Sequence, residues 1–260
     1  MRRLLLLCYT LPILLPSFCF SQSRVTHASK PPQLQELVGL SGVLHPMKLM
    51  LHRTKWELGY IEKHQGRSAQ EAAEGVRAWL AKGYSSDEAT HVEYDLVSKY
   101  KEGLIRLLDG LKYIGDDEGR FLYDDESIPV GFARTNGSLT LVLSAIASGN
   151  VYNTLRTSDK TRASKVVASV ILPVIRDLTE TLPTDQIKYF AIEVCYGSKA
   201  FSDEDLPGAE GEIVVAVVPS ERAKQFAAAS LTREELLNSS DVYIFTHEAS
   251  ALEKVKLSFD

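Results

Sequence analysis

Apolar and polar positions in this chain follow two periods, and one stretch follows neither. From Ile213 to Val218 every residue is apolar, four of the six being Val, with Gly211 before the run and Pro219 closing it. β-Branched residues suit a pleated strand, and a run with no polar face predicts a strand buried on both sides. Such a strand needs partners on both edges and cover on both faces.

Period-2 alternation marks further strands. Val130 and Phe132, then Leu139, Leu141 and Leu143, flank Asn136-Gly137, a pair that tolerates the positive φ of a tight turn. These flanks (129–135 and 138–147) predict a β-hairpin. Ile187 to Tyr196 predicts a strand whose stronger face is Phe190, Ile192, Val194 and Tyr196. Val242 to Thr246 predicts another. Val255, Leu257 and Phe259 alternate with Lys254, Lys256 and Ser258, as in an edge strand whose lysines discourage pairing.

Helical period takes over elsewhere. Ser68-Ala-Gln-Glu71 is a capping box, and Ala72, Val76, Trp79 and Leu80 follow it before Gly83. A second helix starts near Ser86, with Leu96, Tyr100, Leu104, Leu107 and Leu111 on its stripe, and ends at Gly115; Gly103 is a place for it to bend. The short link between the two predicts an antiparallel helical hairpin over 68–114. Ser158 and Asp159 open a third helix, whose stripe runs from Ala163 through Val166, Val170, Val174 and Leu178 to Leu182 and should lie on the sheet. Pro173 inside it should kink it. Ser220 is placed to cap a short helix, and Thr232-Arg-Glu-Glu235 is a second capping box.

These elements predict an α+β protein: an N-terminal helical hairpin plus a mostly antiparallel sheet covered by an amphipathic helix. A mixed sheet is the alternative, with the Val-rich strand and the Val242 strand as a parallel βαβ pair. The expected organisation is a signal peptide (1–21), a leader and irregular segment (22–67), a helical region (68–126) and an α+β region (127–260). The last two are expected to pack as one domain.

Export is read from the first residues. Arg2 and Arg3 precede an apolar run from Leu4 to Phe20 and then Ser21-Gln22-Ser23, the three-part layout of a secretory signal. Cys19 and Ser21 supply small side chains for cleavage near Ser21. The run falls short of the roughly 20 apolar residues that span a bilayer, and it contains Pro12 and Pro16. No membrane span is therefore expected after cleavage, and the chain should be secreted or periplasmic. Cleavage would move the net charge from −5 to −7 and leave Cys195 as the only cysteine, so stability must come from the core rather than from disulfides. An acidic chain gives no reason to expect nucleic-acid binding.

Candidate chemistry is sparse. Cys195 shares its predicted strand face with Ala191 and Glu193, and a neighbouring carboxylate disfavours a reactive thiolate, so an apolar filler is expected. Asp116, Asp117, Glu118, Asp124, Asp125 and Glu126 form an acidic loop that could hold calcium, although the spacing departs from the EF-hand. Asp203-Glu204-Asp205 is a weaker cluster of the same kind. His45, His52, His64, His91 and His247 show no helix-borne zinc spacing. The chain lacks G-x-S-x-G, Walker A and G-x-G-x-x-G, so it names no catalytic residue, metal ligand or cofactor. Asn136-Gly-Ser138 and Asn238-Ser-Ser240 match the N-glycosylation sequon. The expected function is a non-catalytic exported module that binds a protein, an envelope component or a small ligand. The alternatives are a hydrolase assembled from distant residues and a calcium-stabilised structural protein.

Overall fold

The centre of the molecule is a seven-stranded sheet around the Val-rich run, seen in a computed structural model that describes residues 96, 99–111, 120–122, 130–135, 137–182, 184–200, 210–246 and 252–259. The expected signal peptide and leader, the first helix of the expected hairpin, the acidic loop carboxylates and the 203–205 cluster lie outside the described residues. In chain order the described elements begin with α1 (Lys101–Leu111), β1 (Arg120–Leu122), β2 (Val130–Thr135) and β3 (Ser138–Asn153). Next come α2 (Asp159–Val166), a π-helical turn (Val167–Ile171), α3 (Leu172–Thr181) and β4 (Ile187–Lys199). The last are β5 (Glu210–Pro219), α4 (Ser220–Ala227), α5 (Arg233–Asn238), β6 (Asp241–Phe245) and β7 (Glu253–Val255).

The expected α+β class, with a mostly antiparallel sheet, is what these elements form. Strand order is β1-β3-β4-β5-β6-β7, and β2 also pairs with β3. β2 aligns with Ser138–Leu143 and β1 with Ile146–Ser148, so the two share one edge of β3 end to end. The hairpin turns at Gly137, whose φ of 76° is left-handed backbone that glycine adopts without penalty. Among the described strands only β3 and β4 run parallel. The parallel unit is thus built by α2 and α3, not by the segment between β5 and β6, which pair antiparallel. The helices Ser220–Ala227 and Arg233–Asn238 turn the chain back there, so that β6 runs antiparallel beside β5.

One face of the sheet is covered by helices. Phe190, Ile192, Val194 and Tyr196 of β4 and Val214, Ala216 and Val218 of β5 meet Val166, Val170, Ile175 and Leu178 there. Odd-numbered positions form a second buried cluster on the other face, with Ala191, Cys195, Ile213, Val215 and Val217. A two-sided burial explains the unbroken apolar run of β5.

α1 lies within the second predicted helix, whose expected end at Gly115 is outside the described residues, and it buries Leu104, Ile105 and Leu107. Gly103 serves close approach: a Cβ there would come within 2.7 Å of Leu182 Cδ2, where α1 crosses the end of α3. Pro173 stands at the start of α3, and a π turn lies directly before it. The Leu172 N–H reaches back to the Val167 carbonyl, which eases the helix past a residue with no N–H to give. Ser158 caps α2 by accepting from the Thr161 N–H. Ser220 does not cap α4; its hydroxyl donates to the Ile187 carbonyl at 2.5 Å and pins the helix start to β4. β7 is shorter than the alternation predicts, because Leu257 and Phe259 leave the ladder to pack on the core and Arg233 lies 4.3 Å over the Phe259 ring.

Two helix ends carry small predictions. The capping box of α5 is complete: Glu235 N–H donates to Thr232 Oγ1 at 3.2 Å, and Thr232 N–H to Glu235 Oε2 at 2.8 Å. The bonds from the Thr232 backbone and hydroxyl hold the Glu235 carboxyl below its ordinary pKa. A depressed carboxyl contributes stability above its unfolded pKa and loses it as pH falls through the folded one. Thr232→Ala should therefore cost about 1 kcal/mol near neutral pH, with a smaller penalty in acid, read by urea unfolding at both pH values. Ala229 follows α4 in left-handed backbone (φ 54°), where a Cβ is crowded. Ala229→Gly should raise stability by roughly 1 kcal/mol, seen as a higher urea midpoint at unchanged slope.

Candidate functional site: a braced turn at the end of the parallel pair

The parallel strands β3 and β4 end together, and the chain turns there into α2. Register shifts between Ala147 and Val151 of β3, so that Val151, Tyr152 and Asn153 face Gly197, Ser198 and Lys199. A bulge of this kind redirects side chains at a strand end. Residues 154–157 then form a turn whose four backbone N–H groups are all engaged. Thr154 N–H donates to the Lys199 carbonyl at 3.0 Å. Asn153 Oδ1 accepts from Leu155 N–H at 2.9 Å, and its carbonyl accepts from Thr157 N–H at 3.1 Å and the Thr157 hydroxyl at 2.7 Å. An Asn is suited to this, since its short side chain mimics a turn of backbone.

A buried ion pair braces the turn from inside. Arg162 on α2 sends Nε to Glu212 Oε2 at 2.8 Å and Nη2 to Glu212 Oε1 at 2.5 Å, a two-point fork. Its remaining edge donates through Nη1 to the Thr157 carbonyl. The two side chains are 7% and 0% exposed. Burial alone would lower the Arg162 pKa, but the Glu212 carboxylate outweighs it and the guanidinium stays charged. Glu212 sits opposite Tyr196 across β4 and β5. The Tyr196 ring is fully buried, 5.7 Å from Tyr152 and edge-on to it. Burial first, and then the nearby Glu212 charge, push the Tyr196 phenol far above its usual range, so it stays neutral. Its hydroxyl lies near that carboxylate without completing a hydrogen bond.

What the brace presents is apolar. Leu155 is 67% exposed at the tip of the turn and Val151 is 45% exposed just before it, with Arg156 exposed beside them. A scattered surface Leu is ordinary; this one stands on a turn whose backbone hydrogen bonds hold it in place.

Cys195 lies elsewhere, 1% exposed within the second-face cluster and paired in register with Ile213 of β5. It therefore packs as expected of a small apolar side chain. In the native protein an aqueous thiol reagent should label it only after unfolding, at a rate set by global opening; rapid labelling without denaturant would show an accessible thiol. Nearby, Glu193 is fully buried and accepts from the Ser144 hydroxyl at 2.7 Å. The acidic loop carboxylates, all six histidines of the chain and Asn136 lie outside the described residues. Among the described residues no three His, Cys, Asp or Glu side chains converge as metal ligands would. No described helix is long and apolar enough to cross a membrane.

Sequence reasoning passed over Arg162, Glu212 and Asn153. A signal existed: Arg162 abuts the apolar stripe that starts at Ala163, and Glu212 enters the buried Val-rich strand. Charges so placed must be paired. No family model matches the chain, and no curated protein or solved structure is significantly similar to it.

Proposed function

We propose that this chain is an exported, non-catalytic binding module and that the turn 154–157 is its point of contact with a partner. The observation that carries the reading is Leu155: a 67% exposed apolar side chain on backbone braced by Asn153 and by the buried Arg162–Glu212 pair. Binding residues sit on loops positioned by rigid scaffolds, and a fixed loop spares the ordering entropy that a flexible one loses on association. The buried charged groups in this region support the same reading. Arg162 and Glu212 satisfy each other, which fits a structural brace better than acid–base work. Export is supported by the Arg2-Arg3 n-region and the apolar run that follows.

The test places a photoreactive residue at Leu155 of the full chain, with controls at exposed Lys188 and Glu221, in an exporting host. A discrete adduct at position 155 alone, competed by purified unlabelled chain, supports the contact. Equal labelling at all three positions sinks it. N-terminal sequencing of the exported chain should begin near Gln22; a chain retained inside the cell with Met1 in place removes the export half of the proposal.

A further inference from the structure

We propose that Asn238 is the acceptor of an N-linked glycan, an assignment that rests on the export reading above. Asn238-Ser239-Ser240 has the required order of amide, non-proline residue and hydroxyl. The fold leaves room for the modification. Asn238 is the last residue of α5 and is exposed, as are Arg233, Glu234 and Glu235 on the same short helix. A bulky hydrophilic chain is tolerated at such a surface. The hydrogen bonds that close α5 use other groups. Thr232 and Glu235 close its start, while Ser239 Oγ and Ser240 Oγ each donate to the Leu236 carbonyl at 2.7 Å. Asn238 is thus dispensable to the helix it ends.

The same bonds fix the order of events. In the folded chain the Ser240 hydroxyl is half-buried and engaged, so transfer precedes closure of α5. In that step Asn238 Nδ2 forms a bond to C1 of an oligosaccharide carried on a lipid diphosphate. The C1–O bond to phosphate breaks, the lipid diphosphate leaves, and the amide proton passes to the transferase.

The pair of serines supplies the test. Because Ser239 and Ser240 make the same bond to Leu236, their alanine variants should disturb α5 alike, whereas only Ser240 occupies the sequon position. The full chain is expressed in a eukaryotic secretory host, and the medium and cell fractions are analysed by intact mass before and after an amidase that removes N-glycans. The secreted chain should lose one glycan with N238Q and with Ser240→Ala, and keep it with Ser239→Ala and with N136Q. A secreted chain of unmodified mass, or one whose mass does not respond to N238Q, overturns the assignment while export stands. Loss with both serine variants alike overturns it too, as an effect of α5 rather than of the sequon. A chain retained in the cytosol and unmodified overturns export, and the glycan with it.

Discussion

Replacing Glu212 by Ala should destabilise the protein by about 3–5 kcal/mol, because it strands the Arg162 guanidinium in a site that is only 7% open to water. Arg162→Met should cost a comparable amount by stranding the Glu212 carboxylate, which is fully buried. Against a total stability of roughly 5–15 kcal/mol, either change removes a large share. Removing both charges is different. Desolvating an ion pair offsets much of its Coulombic attraction, so Arg162→Met with Glu212→Leu should recover most of the loss and could equal the native protein. The difference between the double variant and the sum of the singles is the coupling, and urea unfolding of all four proteins measures it. Single variants within 0.5 kcal/mol of native, on the scale of ordinary surface substitutions, would mean that the pair braces nothing. The double variant also separates stability from presentation. It lacks the Arg162 donor to the Thr157 carbonyl, so amide exchange in the turn 154–157 should quicken even where global stability returns. Leu155→Ala should do the reverse. It should leave stability within about 0.5 kcal/mol, since that side chain is mostly in water, and remove the proposed contact.

That contrast explains which parts of the molecule could be read from the sequence. Elements specified by near neighbours were legible. The hairpin turn at Gly137, the Ser158 cap, the Thr232–Glu235 box and the apolar run of β5 each encode their geometry within a few residues, and each is where it was expected. The β3–β4 partnership was not legible. Alternation fixes which side chains share a face, but it is the same for a parallel as for an antiparallel neighbour, and the choice depends on where α2 and α3 return the chain. β3 also runs to Asn153, past the expected end at Ala147, because the bulge lets it continue through Gly149 and Asn150. The brace was least legible of all. Arg162 and Glu212 are 50 positions apart, and nothing local to either names the other.

Phe190→Ala should be as damaging as the loss of Glu212, about 3–5 kcal/mol, by a different mechanism. Phe190 is fully buried on the helix-covered face of β4, level with Leu141 of β3 and Val218 of β5. Both neighbouring strands hold their backbones in place through ladders on either side of β4, so the sheet cannot close in to fill the space the ring leaves. The cost is then the lost transfer energy of the ring plus the contacts forfeited by the cavity walls, which include the apolar stripe of α3. Phe190→Leu keeps most of the volume and should cost about 1 kcal/mol. On the opposite face, Cys195→Ala removes one sulfur from an equally buried position and should fall near the same lower value. Urea unfolding should show a reduced midpoint at constant slope for all three, with Phe190→Ala far below the others. If Phe190→Ala instead cost no more than Phe190→Leu, the helices α2 and α3 would have to settle onto the sheet. The braced turn at the head of α2 would move with them, and faster amide exchange at residues 154–157 would report it.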